Sequence, residues 1–299
     1  MPIEHNSRGL IGQMATRNRV ERDLIFDIGL HNGDDAAYYL HLGYRVVGIE
    51  ASPPLAAECA KRFEQETRQQ RITIINAGVL GEAGVFTFYR NLLDNGWSSF
   101  EREKGKKGGE WEELRIPCVA ASQLIAQYGT PFFMKIDVEG ADLQVLRSLI
   151  PEIAPSYISV ELNCVDPIVE RLIELDYSAF KFVDGETFWS TPPIFDHQIG
   201  WRLLRKAGRV APFIRSAMGK LPQWCCAKSE WNPPGKYNPE HYPFTSYSSG
   251  PFGEQAAGSW MTREAALRWF EKLKRDYRRA GQEGLLWWDV HARHRSAEY

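Results

Sequence analysis

Carboxylates and glycines crowd into one short stretch near the start of the chain. In FDIGLHNGDDAAYYL, Phe26 to Leu40, Asp27 precedes a turn bearing Gly29 and Gly33, with His31 and Asn32 between them and Asp34 and Asp35 just after. A buried strand, a glycine turn and a helix start in this order often cradle nucleotide phosphates, because the backbone can approach closely and helix N-termini favour anions. Two features oppose a pyrophosphate here. His31 stands where G-x-G-x-x-G has its middle glycine, and Asp34 and Asp35 add negative charge where the phosphates would lie. A ligand with an adenosine, no phosphate and positive charge resolves the conflict. S-adenosylmethionine, with its sulfonium and ammonium groups, is therefore the expected cofactor.

The rest of the expected cofactor site follows at the next two strand ends. Glu50, followed by Ala51 and Ser52, closes YRVVGIE 21 positions after Gly29, where an acid can accept from both ribose hydroxyls. Asn76 and Ala77 end RITIINA, where the adenine edge is expected. Each residue also has a plain structural use: Asp27 can tie a turn, Asp34 and Asp35 suit any helix start, and Asn76 can hold a loop. The strand-turn-helix with Glu50 leaves a nicotinamide-dependent dehydrogenase as the rival reading, which the missing glycine and the acidic turn disfavour. A non-catalytic scaffold on the same fold is a third.

The whole chain sets the setting for these residues. It has 299 residues, 43% hydrophobic and 25% charged, with a net charge of -2, which suits a folded protein and not a general nucleic-acid binder. The opening MPIEHNSRGLIGQ lacks the apolar core of a secretory signal, and no later run is apolar enough to span a bilayer. Five cysteines at scattered spacings match neither a disulfide framework nor a zinc site, so a reducing cytoplasm is expected.

From about residue 22 to 185, strand and helix patterns alternate, as in a mainly parallel sheet with helices on both faces. The expected strands are DLIFDIG, YRVVGIE, RITIINAGV, PFFMKIDVEG, SYISVELN and YSAFKFVDG, with GVFTFYR as an extra one. Residues 91–115, rich in glycine and charge, read as a lid loop. Residues 1–21 form an N-terminal segment and 186–299 a C-terminal extension, which holds eight of the ten tryptophans. Within the extension, MTREAALRWFEKLKRDYRRAG is a helix capped by Thr262, with Ala266, Trp269, Phe270, Leu273 and Tyr277 on one face.

FDIGLHNGDDAAYYLHLGYRVVGIEASP together with FFMKIDVEGADLQVLRSL resembles the FkbM-type methyltransferases. Lys135-Ile136-Asp137-Val138-Glu139-Gly140 is the more specific of the two motifs. The resemblance covers about residues 22 to 185 and implies the Rossmann-like class I fold with a seven-stranded sheet. It also implies S-adenosylmethionine as methyl donor and O-methylation of a hydroxyl on a sugar, glycolipid or secondary metabolite.

Methyl transfer to oxygen needs alignment of the partners and removal of one proton. Asp137 and Glu139 end the central strand, and Glu161 ends the next, so these three are the candidate bases. Asp137, Glu161 and Asn163 also make an all-oxygen set for Mg²⁺. FkbM-type chains often carry E-x-H at this last place; Asn163 replaces the histidine. On the acceptor side, Trp97, Ser98 and Ser99 in NGWSSF offer a sugar-stacking ring and two hydroxyls. Residues 197–229 carry seven lysines or arginines and no acid, a candidate contact for an anionic acceptor or a membrane surface, with a solvated basic face as the plain alternative.

Overall fold

The computed structural model describes residues 20–162, 167–185, 188, 190, 237–245, 248–280 and 288–297. In chain order its main elements are β1 (Val20–Ile28), α1 (Asp34–His41), β2 (Arg45–Glu50), α2 (Pro53–Arg62), β3 (Ile72–Asn76), β4 (Gly78–Leu80), β5 (Gly84–Asn91) and β6 (Trp111–Ala120). They continue as α3 (Ala121–Tyr128), β7 (Thr130–Ile136), α4 (Asp142–Arg147), β8 (Tyr157–Glu161), α5 (Ile168–Glu174) and β9 (Tyr177–Asp184). The last are β10 (Met261–Thr262), α6 (Arg263–Ala280) and β11 (Trp288–His294).

The expected α/β architecture is present. The main sheet runs β3-β2-β1-β7-β8-β11-β9-β10. Its first five strands pair in parallel, whereas β11 lies antiparallel to both β8 and β9. Two-residue β10 makes eight strands where seven were expected. β11 matters most, because residues assigned to the C-terminal extension form an interior strand of the main sheet. Residues 111–115, assigned to the lid loop, belong to β6, the centre of a second sheet ordered β4-β6-β5. Thr262 caps α6 as expected, accepting from the Ala265 N–H at 3.3 Å.

Strand alternation gives the main sheet two unlike faces. Phe26, Ile28, Met134, Ile136, Ile158, Val160, Phe182 and Val290 point into one continuous apolar cluster with residues of α3, α4, α5 and α6. Ala266 and Phe270 of α6 are fully buried there, and the Trp269 ring stacks on Phe182 at 4.0 Å. Each buried aromatic contributes roughly 2–3 kcal/mol, which is why α6 docks where its stripe meets the sheet.

The opposite face starts apolar, with Ile25, Phe133 and Tyr157 against Tyr39 of α1 and Phe252, whose ring lies 4.2 Å from that of Phe133. Further along the strands it turns polar. Asp27, Lys135, Ser159, His291 and Lys181 pair in register across β1, β7, β8, β11 and β9, and every one is buried. Residues 248–257 cover this row: Lys181 Nζ donates to the carbonyls of Gly253 and Ala256 at 3.2 and 2.6 Å. The next residues on this face, at the carboxyl ends of the parallel strands, are those that build the site.

Candidate active site

The glycine turn is held open by backbone geometry. Gly29 has φ 90°, and a Cβ there would lie 1.8 Å from the carbonyl oxygen of Asp137. Gly33, at φ 81°, caps α1, and a Cβ on it would meet Phe63 at 2.5 Å. Between them His31 takes φ 50°. Its N–H donates to Glu50 Oε2 at 2.8 Å, and its carbonyl accepts from the Cys59 thiol at 3.2 Å. Burial, then the charge of Lys135, hold the His31 ring below its usual pKa.

Glu50 sits at the end of β2 as expected. Besides the His31 N–H, its carboxylate accepts the Ser52 N–H at 2.7 Å, so it fixes the turn and the start of α2 together. Burial pushes its pKa up to about 7 against these two donors. Asn76 ties strand ends: its Nδ2 donates to the carbonyls of Glu50 and Ala51 at 2.8 and 3.2 Å. The Ala77 N–H also reaches the Glu50 carbonyl, at 3.1 Å.

The acids of the turn are already partnered within the chain. Asp34, expected beside the cofactor, receives Arg62 at 2.8 Å, Thr245 Oγ1 at 2.6 Å and Asn32 Nδ2 at 2.7 Å. Asp35 accepts the Ser249 N–H at 2.9 Å and the Ser248 hydroxyl, and pairs with Lys135 Nζ at 3.0 Å. Asp27 lies wholly below the surface, and neither of its oxygens accepts a hydrogen bond; Lys135 Nζ stands 3.8 Å away. Burial lifts Asp27 to about 7. The negative charge read in the sequence is thus largely offset by Arg62 and Lys135.

Lys135, Thr245, Ser248 and Ser249 are parts of the site that sequence reasoning missed. A lysine within FFMKID, otherwise apolar until Asp137, was the available signal, because a charge in a central strand needs a buried counter-ion. Nothing local in the sequence around Thr245, Ser248 and Ser249 points to α1.

Beyond the turn, carboxylates gather. One oxygen from each of Asp137, Glu139 and Glu161 lies within 4.8 Å of the others. Glu139 reaches this position through a left-handed backbone at φ 49°, followed by Gly140 at φ 99°. Asp142 holds that loop by accepting the Val138 and Gly140 N–H groups, both at 3.1 Å. Asp289 pairs with Glu161 in the β11–β8 register and adds a further acid to the row. Burial, then the Asp137 charge, lift Glu139 and Asp289 to about 8, and Glu161 well above its usual range. Carboxylates this close hold protons between them, or a small cation in their place. Asn163, the third metal candidate of the sequence, lies outside the described residues.

The loop between β5 and β6, expected as a lid, touches this cluster. Ser99 Oγ donates to the Glu139 carbonyl at 2.6 Å, and Lys104 Nζ stands 3.8 Å from the Glu139 carboxylate. Ser99 is buried, and Ser98 Oγ accepts the Asn91 N–H at 3.1 Å, so both serines, expected to meet an acceptor, hold the loop itself. One face of Trp97 carries the Lys107 ammonium at 4.1 Å. Residues 197–229 lie outside the described residues.

No curated protein matches the sequence. Among solved structures, precorrin-6y C5,15-methyltransferase from Geobacter metallireducens is 14% identical, covering 60% of this chain and 77% of its own, at a TM-score of 0.32. An S-adenosylmethionine-dependent methyltransferase from Geobacter sulfurreducens, in complex with S-adenosyl-L-homocysteine, is 14% identical over 99% of this chain and 94% of its own, at a TM-score of 0.31. Overlaps this loose assign no activity. The family match is direct: residues 27–183, from Asp27 at the turn to Val183 near the end of β9, fit the model of the methyltransferase FkbM domain, and the chain belongs to that family.

Proposed function

We propose that this S-adenosylmethionine-dependent methyltransferase acts on a hydroxyl oxygen of a sugar, a glycan or glycolipid, or a secondary metabolite. The observation that carries this reading is the set of three carboxylates, Asp137, Glu139 and Glu161, gathered within 4.8 Å at the strand ends beside the glycine turn. S-adenosylmethionine supplies an electrophilic methyl carbon on a neutral leaving group, so the chain has only to align an acceptor and accept its proton. Glu139, lifted to about 8, has the basicity a proton acceptor needs near neutrality. On the cofactor side, the Gly29–Gly33 turn approaches the ligand through its backbone, and Glu50 at the end of β2 accepts the ribose hydroxyls.

The lid of residues 92–110 and Lys104 bound the acceptor side. A reducing cytoplasm fits the buried free thiols of Cys59 and Cys118. Among the described residues no helix is long and apolar enough to cross a membrane. A second reading of the cluster places Mg²⁺ among the same three carboxylates, where it would orient acceptor oxygens. Loss of turnover with a chelator, restored by Mg²⁺, would select it.

The test is methyl transfer itself. Extracts of glycans, glycolipids and small metabolites are incubated with the protein and methyl-labelled S-adenosylmethionine, and products are read by mass spectrometry. A hydroxyl-bearing compound gaining one labelled methyl, with the yield much reduced in Asp137→Asn, is the expected result. Labelled product only on nitrogen or carbon would overturn O-methylation. Tight binding of S-adenosyl-L-homocysteine with no product in any extract would favour a non-catalytic scaffold.

A further inference from the structure

One buried ammonium, that of Lys135, lies among the acids beneath the glycine turn. Lys135 is 4% exposed, with Nζ 3.0 Å from Asp35, 3.3 Å from Asp137 and 3.8 Å from Asp27. Its nearest partner, Asp35, is 3% exposed and held in turn by the Ser249 N–H and the Ser248 hydroxyl. The pair is therefore a fixed part of the floor beneath the glycine turn, unable to swing into solvent. Beside them stand Glu139 from the loop after β7, Asp142 at the start of α4, Glu161 from β8 and Asp289 from β11, where burial favours the neutral acid.

The two ligands that must enter and leave such a site differ in one respect that a charge can read. S-adenosylmethionine carries a sulfonium; S-adenosyl-L-homocysteine, the product, carries a neutral thioether. A steric change away from the transferred methyl group affects both ligands alike. A fixed charge near the sulfur affects the first far more.

We propose that the buried Lys135–Asp35 ion pair fixes the charge the crevice presents to the sulfonium, and with it the preference for S-adenosylmethionine over S-adenosyl-L-homocysteine. This rests on the methyltransferase reading above. A unit charge acting across about 10 Å at an effective dielectric of ~20 changes relative affinity roughly 15-fold.

Calorimetric titration of the whole chain with each ligand, at one pH, tests it in two variants of opposite sign. Lys135→Met leaves Asp35 and Asp137 without their ammonium, and the affinity ratio is expected to move at least about tenfold toward S-adenosylmethionine. Asp35→Asn keeps an acceptor for Ser248 and Ser249 but removes one negative charge, and the ratio is expected to move toward S-adenosyl-L-homocysteine by a similar factor. Equal losses for both ligands, or shifts of the same sign, overturn the inference. Should Lys135→Met fail to fold, Asp35→Asn decides alone: a shift toward the product supports the proposal and an unchanged ratio ends it. A wild-type protein that binds neither ligand overturns the methyltransferase reading together with this one, whereas binding of both with an unmoved ratio sinks the inference alone.

Discussion

Gly29 and Asp137 meet backbone to backbone: a Cβ on the glycine would fall 1.8 Å from the Asp137 carbonyl oxygen. The Asp137 N–H completes the join by donating to the Ile28 carbonyl at 3.0 Å. The glycine turn and the Lys135–Gly140 motif, more than 100 residues apart in sequence, are therefore one rigid piece. Gly29→Ala would need both strand ends to part and a methyl group at φ 90°. It is expected to cost more than about 3 kcal/mol and to abolish S-adenosyl-L-homocysteine binding. Urea denaturation with a binding titration checks this, and a stable, binding-competent variant would contradict it.

Glu50 fixes the turn through the His31 and Ser52 N–H groups. Glu50→Ala leaves both donors without their acceptor and is expected to lose about 1–3 kcal/mol of stability. Affinity for S-adenosyl-L-homocysteine should drop at least tenfold, since the ribose acceptor disappears as well. Unchanged affinity in calorimetry would take Glu50 out of the ribose site.

Stability should decline as pH rises from about 6.5 to about 8. Burial lifts Glu139 and Asp289 to about 8, and Glu50 and Asp27 to about 7, above their ordinary values of 4.5 or 3.8. The folded state thus holds more protons than the unfolded one, and the stability these acids contribute is complete in acid and lost as pH rises through about 8. His291, pushed down to about 3 by burial, has the opposite effect, but only below its ordinary 6.5. Thermal melts across this interval should show a falling midpoint, and a smaller fall in Glu139→Gln. A midpoint that climbs with pH would contradict the assignment.

β11 stands between β8 and β9, so a chain ending at residue 287 should not fold. Its loss would leave two strand edges unpaired and expose the apolar cluster to which Val290 and Ala292 belong. Circular dichroism and gel filtration of the truncated chain should show an unfolded or aggregated product. A soluble, cooperatively melting fragment would show that β11 is dispensable. The same placement means that deleting residues 186–299 cannot isolate the role of the extension.

The local parts of this fold were legible in the sequence because each carries its own pattern. Apolar runs ending in Asp27, Glu50 and Asp137 mark strands buried on both sides, and Thr262 with the Ala266–Phe270 stripe marks α6. β11 was not legible for a physical reason. In WDVHARH, Asp289 and His291 alternate with Val290 and Ala292, which reads as a strand with one face in water. Its polar side chains instead join the buried row of Lys135, Ser159 and Lys181, a match that appears only once distant strands are side by side. β6 was hidden by charged residues and Pro117, which its place in the smaller sheet tolerates. The acids of the turn stand out in the sequence, but their partners Lys135, Arg62, Thr245 and Ser248 come from three other segments.

The central claim is that the site accepts an S-adenosyl ligand and not a dinucleotide. Calorimetric titration of the wild-type chain with S-adenosyl-L-homocysteine and, separately, with NADH tests it most directly. Saturable binding of S-adenosyl-L-homocysteine, with no heat from NADH, is the predicted result. Binding of NADH with none of S-adenosyl-L-homocysteine would contradict it.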